Sequence, residues 1–207
     1  MIEVKNIEQI GILPSNECDS FTQPYVWGSF IKPEPSVFEG IIKNKNPKRY
    51  FEFGTGCGVS VQIVKTVYPE CECFSIDKDD FRTHRDGHSK QLGEIPEAHF
   101  WKGNTYTKRF PKSLFESFDI VLVDAGHWIA DCANDTGRAM DLVKPGGLLM
   151  WHDVILGDTY GDVFEGEKYK NLKVSKSIEV AKYLKDSFPL TVTLIKGTTL
   201  AIMEVKE

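Results

Sequence analysis

The fold is decided by the stretch RYFEFGTGCGVS at residues 49–60. An apolar run ends there in three glycines spaced by single residues, and an amphipathic pattern follows, which predicts a strand that turns sharply into a helix. Glycine permits the positive φ angles of such a turn and lets a ligand approach the backbone closely. Free amides at the start of a helix favour an electron-rich or anionic ligand. The turn therefore predicts a ligand-binding site.

The spacing of these glycines narrows the class of ligand. The nicotinamide fingerprint is G-x-G-x-x-G, whereas Gly54, Gly56 and Gly58 bring the third glycine one residue early. Glu52 lies two positions before the first glycine, where it can pair with a cationic group that a dinucleotide lacks. We interpret the turn as the site of a nucleoside cofactor; the alternative is a purely structural loop.

A second strand is predicted at residues 71–76, and Asp77 closes it. This acid follows the glycines at about the twenty-residue distance at which an acid meets the ribose hydroxyls of a bound nucleoside. Asp77 is therefore predicted to be a ribose ligand. Alternatively, Asp77 caps the next helix together with Asp79 and Asp80.

Strands and helices alternate along the rest of the chain. The predicted strands are residues 49–53, 71–77, 98–103, 118–124 and 148–151, and the predicted helices are 35–43, 59–68, 80–92, 129–142 and 176–187. Apolar strands joined by helices indicate an α/β fold with a parallel sheet covered on both faces. Residues 190–195 and 199–205 flank a Lys-Gly-Thr turn and predict an antiparallel hairpin at the end.

Composition bounds the classes of function. The 207 residues are 41% hydrophobic and carry a formal net charge of −5, which fits one globular domain and disfavours a nucleic-acid partner, since that usually needs a basic face. No apolar run approaches the roughly 18 residues of a membrane span, and the N-terminus has no signal-peptide pattern. We therefore expect a cytoplasmic protein without a membrane partner. A homo-oligomer is left open.

Acidic and imidazole side chains follow the fourth and fifth of these strands. Asp124 and His127 come after one, and His152 and Asp153 come after the other. The carboxyl ends of parallel strands meet at one edge of a sheet, so these side chains are expected beside the glycine turn. Together they suit a divalent cation that lowers the pKa of a bound hydroxyl. The alternative is that the acids cap helices and the histidines bond to the backbone.

The apolar run, acid and G-x-G-x-G turn of residues 49–58 resemble the first motif of class I S-adenosylmethionine-dependent methyltransferases. With the terminal hairpin the resemblance covers residues 49–205. It implies a Rossmann-like fold at residues 34–207, with a mostly parallel seven-stranded sheet, a C-terminal antiparallel hairpin and helices on both faces. Residues 1–33 are expected to form an irregular cap segment.

Residues 118–124 and 144–154 look like the metal-dependent O-methyltransferases, both the catechol and the macrocin type, and the macrocin type is the closer match. In that group an acid after strand four is followed three residues later by a histidine that acts as general base, and an acidic pair after strand five completes the metal site. The resemblance implies His127 and Asp124 as catalytic residues, and Asp124, His152 and Asp153 as ligands of magnesium or manganese.

The same resemblance assigns the contacts of S-adenosylmethionine. The residues that it places around the cofactor are Glu52, Gly54, Thr55, Gly56, Gly58, Asp77, Gly103, Asn104 and Asp124. Glu52 is expected near the ammonium group and Asn104 near the adenine. Asn104 alternatively just begins a turn.

Two departures from the group affect the expected chemistry. His152 takes the place of the first acid of the pair, and since magnesium prefers oxygen ligands, manganese or iron becomes an alternative. The catalytic lysine of the catechol enzymes has no counterpart in residues 125–131, so a catechol is less expected. The implied reaction is O-methylation of a small molecule, such as a sugar, polyketide or phenolic, under a lid at residues 157–162.

Two other functions are weighed against this one. A non-catalytic domain that binds S-adenosylmethionine or another nucleotide would use the same turn, and only the behaviour of variants separates it from an enzyme. An NAD(P)-dependent oxidoreductase would predict a G-x-G-x-x-G turn and no convergent acids. The sequence meets neither expectation, because its third glycine comes one residue early and acids follow strands four and five.

Overall fold

The computed structural model describes residues 1–15, 17–18, 30–56, 58–78 and 98–206. Two of the predictions made from the sequence fall on other residues. The helix predicted at 80–92 and the alternative caps Asp79 and Asp80 lie outside the described residues.

The described residues contain one eight-stranded sheet. Its strands are β1 (Ile2–Lys5), β2 (Arg49–Phe53), β3 (Glu72–Asp77), β4 (Ala98–Lys102), β5 (Phe118–Val123), β6 (Val143–Trp151), β7 (Val192–Ile195) and β8 (Ala201–Glu204). Their order across the sheet is β1-β7-β8-β6-β5-β2-β3-β4. β8 is antiparallel to both of its neighbours, and the other pairs are parallel. The expected α/β fold with a C-terminal antiparallel hairpin is confirmed.

The sheet gains its eighth strand from the N-terminal segment, which was expected to be irregular. Ile2 pairs with Val192 in parallel register, and the Lys5 carbonyl accepts the Lys196 amide at 2.9 Å. A four-residue strand at the edge has one neighbour and no continuous apolar run, so its sequence carries little β signal. The division of the chain at residue 33 stays a prediction.

Five α-helices flank the sheet in the described residues. They are α1 (Glu34–Lys45), α2 (Val59–Val67), α3 (Ile129–Leu142), α4 (Glu167–Lys170) and α5 (Val180–Asp186). α5 begins four residues later than predicted, because the Glu179 amide donates to the His127 carbonyl at 2.8 Å and ties that chain segment to the loop after β5. None of the described helices has both the length and the apolar character to span a membrane.

Alternate side chains of β2 enter two different cores. Tyr50 packs with the apolar residues of α1 and α2, and Phe51 and Phe53 pack with those of α3 and α5. All three are completely buried. A strand whose successive side chains are buried on opposite faces lies between two helical layers, as the unalternating apolar pattern predicted.

The chain changes direction across the sheet beside β2, which lies between β3 and β5. The Gly54 amide donates to the Ile76 carbonyl, and the Asp124 amide donates to the Phe53 carbonyl, both at 2.8 Å. The residues that follow β2, β3 and β5 are thus held side by side. In open α/β sheets ligands bind in the crevice at such a point.

Candidate active site

The glycine turn after β2 is held by the acid after β3. Gly54, Gly56 and Gly58 have φ angles of 92°, 49° and 73°, which favour glycine. The backbone amides of Thr55 and Gly56 both donate to Asp77 Oδ2, at 3.0 Å. Asp77 therefore fixes the shape of the turn, and it also lines the cavity above it. Its predicted contact with ribose stays a prediction that this position permits.

Glu52 lies beneath this turn rather than in the cavity wall. Its carboxyl group is completely buried and accepts hydrogen bonds from the hydroxyls of Tyr50, at 2.8 Å, of Ser75, at 2.9 Å, and of Ser60. Burial raises its pKa to about 8, although these hydrogen bonds lower it. The side chain points into the layer between the sheet and α2, and its expected contact with a ligand ammonium group stays a prediction.

Gly103 and Asn104 line the same cavity at the end of β4. The Gly103 amide donates to the Asp77 carbonyl at 2.8 Å, and Asn104 Oδ1 accepts the Tyr106 amide at 2.8 Å. Asn104 thus begins a turn, as the alternative interpretation held, while its side chain still borders the cavity. A contact with adenine stays a prediction.

Asp135 of α3 borders the cavity near this turn and was not predicted as a site residue. It is completely buried; Oδ1 accepts from Asn134 at 2.8 Å, and Oδ2 has no hydrogen-bond partner among the described residues. Burial raises its pKa. Because α3 reaches the cavity from another part of the chain, no local sequence signal marks this acid. An unpaired buried oxygen in a cavity wall is available to a ligand donor.

Four side chains converge after β5 and β6, as predicted. Asp124 Oδ1 lies 3.2 Å from His152 Nδ1 and 3.7 Å from His127 Nε2. Asp153 Oδ2 lies 2.9 Å from His127 Nε2 and 3.8 Å from His152 Nδ1. One donor atom each from Asp124, His152 and Asp153 fits within 4.8 Å. Asp153 has a positive φ of 56°, which turns its carboxylate back towards the end of β5.

The donor set fits a divalent cation. Asp124, His152 and Asp153 offer two carboxylate oxygens and one imidazole nitrogen that all lie within 4.8 Å of one another, which is close enough for one ion to be held by all three. His127 Nε2 lies beside this set, 2.9 Å from Asp153 Oδ2. Carboxylate oxygens with imidazole nitrogen suit manganese or iron(II) as well as magnesium.

The charges within the cluster stabilise one another. Burial by itself would raise the pKa of Asp124, but the adjoining histidines outweigh it and lower that pKa to about 2. Burial would lower the pKa of His127, but the carboxylates of Asp124 and Asp153 raise it to about 10. The pKa of His152 is also raised well above its ordinary value, against the effect of burial, by the acids around it. The imidazoles therefore hold protons when no cation engages the carboxylates.

One cavity joins the glycine turn to this cluster. It has a volume of about 750 Å³, and its wall includes Gly54, Gly56, Asp77, Asp124, His127 and Asp153. The turn and the cluster are adjacent, since a Cβ on Gly54 would lie 2.0 Å from the Asp124 carbonyl oxygen. A cavity of this size accommodates a nucleoside cofactor together with a small second substrate.

Two aromatic side chains enclose the end of the cavity near His152. Phe30 is buried and meets the His152 ring edge-on with a centroid distance of 5.1 Å. Tyr160 lines the cavity from the glycine-rich segment that was predicted to be a lid. That segment forms a short 3-10 turn at Tyr160–Asp162. The tyrosine therefore borders the same cavity as the cluster.

The family of the chain follows from its sequence. A family model described as "Methyltransferase domain" matches residues 51–154, which is half of the chain and includes both the glycine turn and the acid and histidine cluster. The chain belongs to this family. The resemblance to class I methyltransferases is thereby confirmed, and a nicotinamide oxidoreductase loses its support. No curated protein matches the chain in sequence.

Solved methyltransferase structures share the fold over nearly the whole chain. The O-methyltransferase TomG from Streptomyces achromogenes, involved in tomaymycin synthesis and solved with SAM, is 17% identical, with a TM-score of 0.62 over 98% of this chain and 96% of its own. A putative caffeoyl-CoA O-methyltransferase from Staphylococcus aureus is 15% identical, with a TM-score of 0.60 over 95% and 88%. The SAH-bound methyltransferase PaMTH1 from Podospora anserina is 13% identical, with a TM-score of 0.60 over 95% and 99%.

Proposed function

We propose that this methyltransferase domain transfers the methyl group of S-adenosylmethionine to a hydroxyl of a small molecule, assisted by a divalent cation. The observation that carries the proposal is the single cavity that runs from the glycine turn to the cluster formed by Asp124, His127, His152 and Asp153. A methyl donor and a hydroxyl that meet in such a cavity are in position for a direct displacement.

The cofactor end of the cavity is supported by the contacts around Asp77. This acid holds the amides of the turn through one carboxylate oxygen and lines the cavity at the position expected for the ribose. We place the methionine part of the cofactor over Gly54 and Gly56, and the adenine between Asn104 and Asp135. The buried Oδ2 of Asp135 would accept a hydrogen bond from the adenine amino group.

The acceptor end is supported by the cluster after β5 and β6. Asp124, His152 and Asp153 would hold the cation, which lowers the pKa of a coordinated hydroxyl when bound. His127 would accept the hydroxyl proton, because this residue borders the cavity and its Nε2 lies 2.9 Å from Oδ2 of Asp153, one of the proposed cation ligands. Its proton-free form requires that the carboxylates be engaged by the cation, since they otherwise raise its pKa to about 10.

The class of acceptor is proposed from the walls at the acceptor end. Phe30 and Tyr160 offer aromatic surface beside the cluster, so a phenolic, polyketide or sugar hydroxyl with an apolar neighbour fits this end. The lid segment would select among these acceptors. TomG is an O-methyltransferase, and the similar Staphylococcus aureus protein is described as a putative caffeoyl-CoA O-methyltransferase, which supports oxygen as the acceptor atom.

Calorimetry with S-adenosylhomocysteine, followed by assays with methyl-labelled S-adenosylmethionine and a panel of catechol, phenolic and sugar acceptors, tests the proposal. The unmodified protein should bind the product and label an acceptor in the presence of manganese. His127→Ala should retain product affinity within a few-fold and lose at least a hundredfold in turnover. If the unmodified protein and His127→Ala both bind the product and neither labels an acceptor, the chain is a non-catalytic binding domain. Failure to bind the product, with NADH bound instead, would contradict the proposal.

A further inference from the structure

We infer that Glu34 is a positioning residue, which fixes the nitrogen that His152 presents to Asp124 and Asp153. The inference rests on the proposed function, because it concerns the residues expected to hold the cation. Glu34 is the first residue of α1 and is completely buried. Its Oε2 lies 3.4 Å from His152 Nε2, on the side of the imidazole ring opposite to the cluster.

Three other donors fix the Glu34 carboxylate independently of His152. Oε1 accepts the Thr199 amide at 2.7 Å and the Thr199 hydroxyl at 2.6 Å. Oε2 accepts the Ile31 amide at 2.8 Å. These bonds join the start of α1 to the turn before β8. The carboxylate is therefore held against His152 by backbone groups of two separate segments.

An ionised carboxylate only accepts hydrogen bonds, so the Nε2 atom that faces Glu34 must carry a hydrogen. The opposite ring atom, Nδ1, lies 3.2 Å from Asp124 Oδ1 and 3.8 Å from Asp153 Oδ2. With Nε2 protonated, the Nδ1 lone pair faces the cluster and is available to a cation. A carboxylate that accepts the second N–H of a metal-ligating histidine fixes the orientation and the tautomer of the ring.

The arrangement also accounts for the histidine at position 152, where the resemblance expects an acid. Exchange of a carboxylate for a neutral imidazole removes one negative charge from the ligand set. Glu34 returns that charge on the far side of the ring, within hydrogen-bond distance. We therefore treat Glu34 and His152 as one unit that takes the place of the missing acid.

The Glu34→Gln variant tests the inference through manganese affinity. Its amide oxygen still accepts the Thr199 bonds, but its NH₂ group then faces both the Ile31 amide, which loses its acceptor, and His152, where it favours a ring with unprotonated Nε2 and a proton on Nδ1. We expect manganese to bind 10- to 100-fold more weakly, by the electron paramagnetic resonance signal of free manganese. Affinity for S-adenosylhomocysteine should change by less than about threefold.

Glu39→Gln is the matched control. Glu39 lies on the same helix and is also completely buried. Its Oε2 accepts the Cys18 amide at 2.9 Å, and Oε1 lies 2.8 Å from Lys43 Nζ, away from the cavity. Glu39→Gln should lower stability and leave manganese affinity unchanged. Equal losses of affinity in the two variants would overturn the inference.

Nitrogen-15 NMR of histidine-labelled, unmodified protein loaded with magnesium gives a second readout that needs no substitution. The signals report each ring nitrogen separately, and we expect His152 to have a protonated Nε2 and an unprotonated Nδ1. The reverse tautomer overturns the inference, even if Glu34→Gln does not fold. Unchanged manganese affinity in Glu34→Gln overturns the inference about Glu34 and leaves the proposed function standing. If the unmodified protein binds S-adenosylhomocysteine but no manganese, the cation-assisted part of the proposed function also fails.

Discussion

Glu52 stands at a motif position from which an acid was expected to meet the cofactor, and its surroundings in the structure are those of a buried, hydrogen-bonded acid. Three hydroxyls surround the carboxyl group, and no solvent reaches it. Burial raises the pKa of Glu52 to about 8, against the effect of these hydrogen bonds. At the scale of single residues, burial and partners decide the chemistry of an acid more than its place in a motif does.

The Glu52→Gln variant should change how stability depends on pH. The pKa of Glu52 is raised from 4.5 to about 8 in the folded protein, so the native state binds the proton more tightly than the unfolded chain. The contribution of Glu52 is therefore fully present below pH 4.5 and is lost as pH rises through 8. The free energy of unfolding of the unmodified protein, relative to Glu52→Gln, should fall by roughly 1 kcal/mol per pH unit in this window. Urea unfolding at pH 5, 6.5 and 8 measures this difference in the free energy of unfolding between the two proteins. A difference that does not change with pH would contradict the raised pKa of Glu52.

The site is assembled by the ends of parallel strands. β2, β3, β5 and β6 deliver their following residues to one edge, and the Gly54 turn lies directly against the loop after β5. The first position of the turn, residue 54, has to be glycine for two reasons. Gly54 has a φ of 92°, and its α-carbon leaves no room for a side chain against the Asp124 carbonyl.

Gly54→Ala should therefore lower both stability and affinity for S-adenosylhomocysteine. The added Cβ would lie 2.0 Å from the Asp124 oxygen, so the ends of β2 and β5 must move apart. We expect a loss of more than about 2 kcal/mol in the free energy of unfolding. Gly137→Ala is the control, since Gly137 lies inside α3 with nothing within 4 Å of its Cβ position, and should stabilise by about 0.5–1 kcal/mol. Thermal unfolding and calorimetry measure both, and a Gly54→Ala protein with unchanged affinity would refute the close contact.

The N-terminal strand β1 forms one edge of the sheet. β1 covers the edge that β7 would otherwise expose, and β7 connects through β8 to β6, which carries His152 and Asp153 at its end. An unpaired edge strand offers its backbone groups to other chains. The first residues of the chain therefore extend the sheet by one short edge strand, and none of them lines the cavity.

Proline substitutions in β1 test this role. Met1 and Lys5 carbonyls accept the amides of Val192 and Lys196, so in a parallel ladder the Glu3 amide also faces β7, and the Val4 amide faces outward. Glu3→Pro removes a ladder bond and should lower the free energy of unfolding by about 1 kcal/mol more than Val4→Pro does. Equal effects in urea unfolding would mean that β1 does not pair with β7 in this register.

How much of this could be predicted from sequence depends on how far apart the interacting residues are in the chain. β2, β5 and α3 were predicted to within one residue, because each is set by an apolar run or a helical period that the local sequence carries. The convergence of Asp124, His127, His152 and Asp153 was also predictable, since parallel strands bring their carboxyl ends to one edge. The edge strand β1 was not predicted, because a short strand with only one neighbouring strand has no continuous apolar run in its sequence.

By itself the sequence determined the parallel sheet, the terminal hairpin and the glycine turn. It also determined that the acidic and imidazole side chains after β5 and β6 meet at one edge of the sheet. Only the tertiary structure decided that Glu52 is sealed beneath the turn, that Asp135 reaches the cavity from α3, and that Glu34 lies against His152. Glu34 is separated from His152 by 118 residues and from Thr199 by 165. Hydrogen bonds over such separations leave no periodicity or spacing in the chain, since they depend on how the helices pack against the sheet.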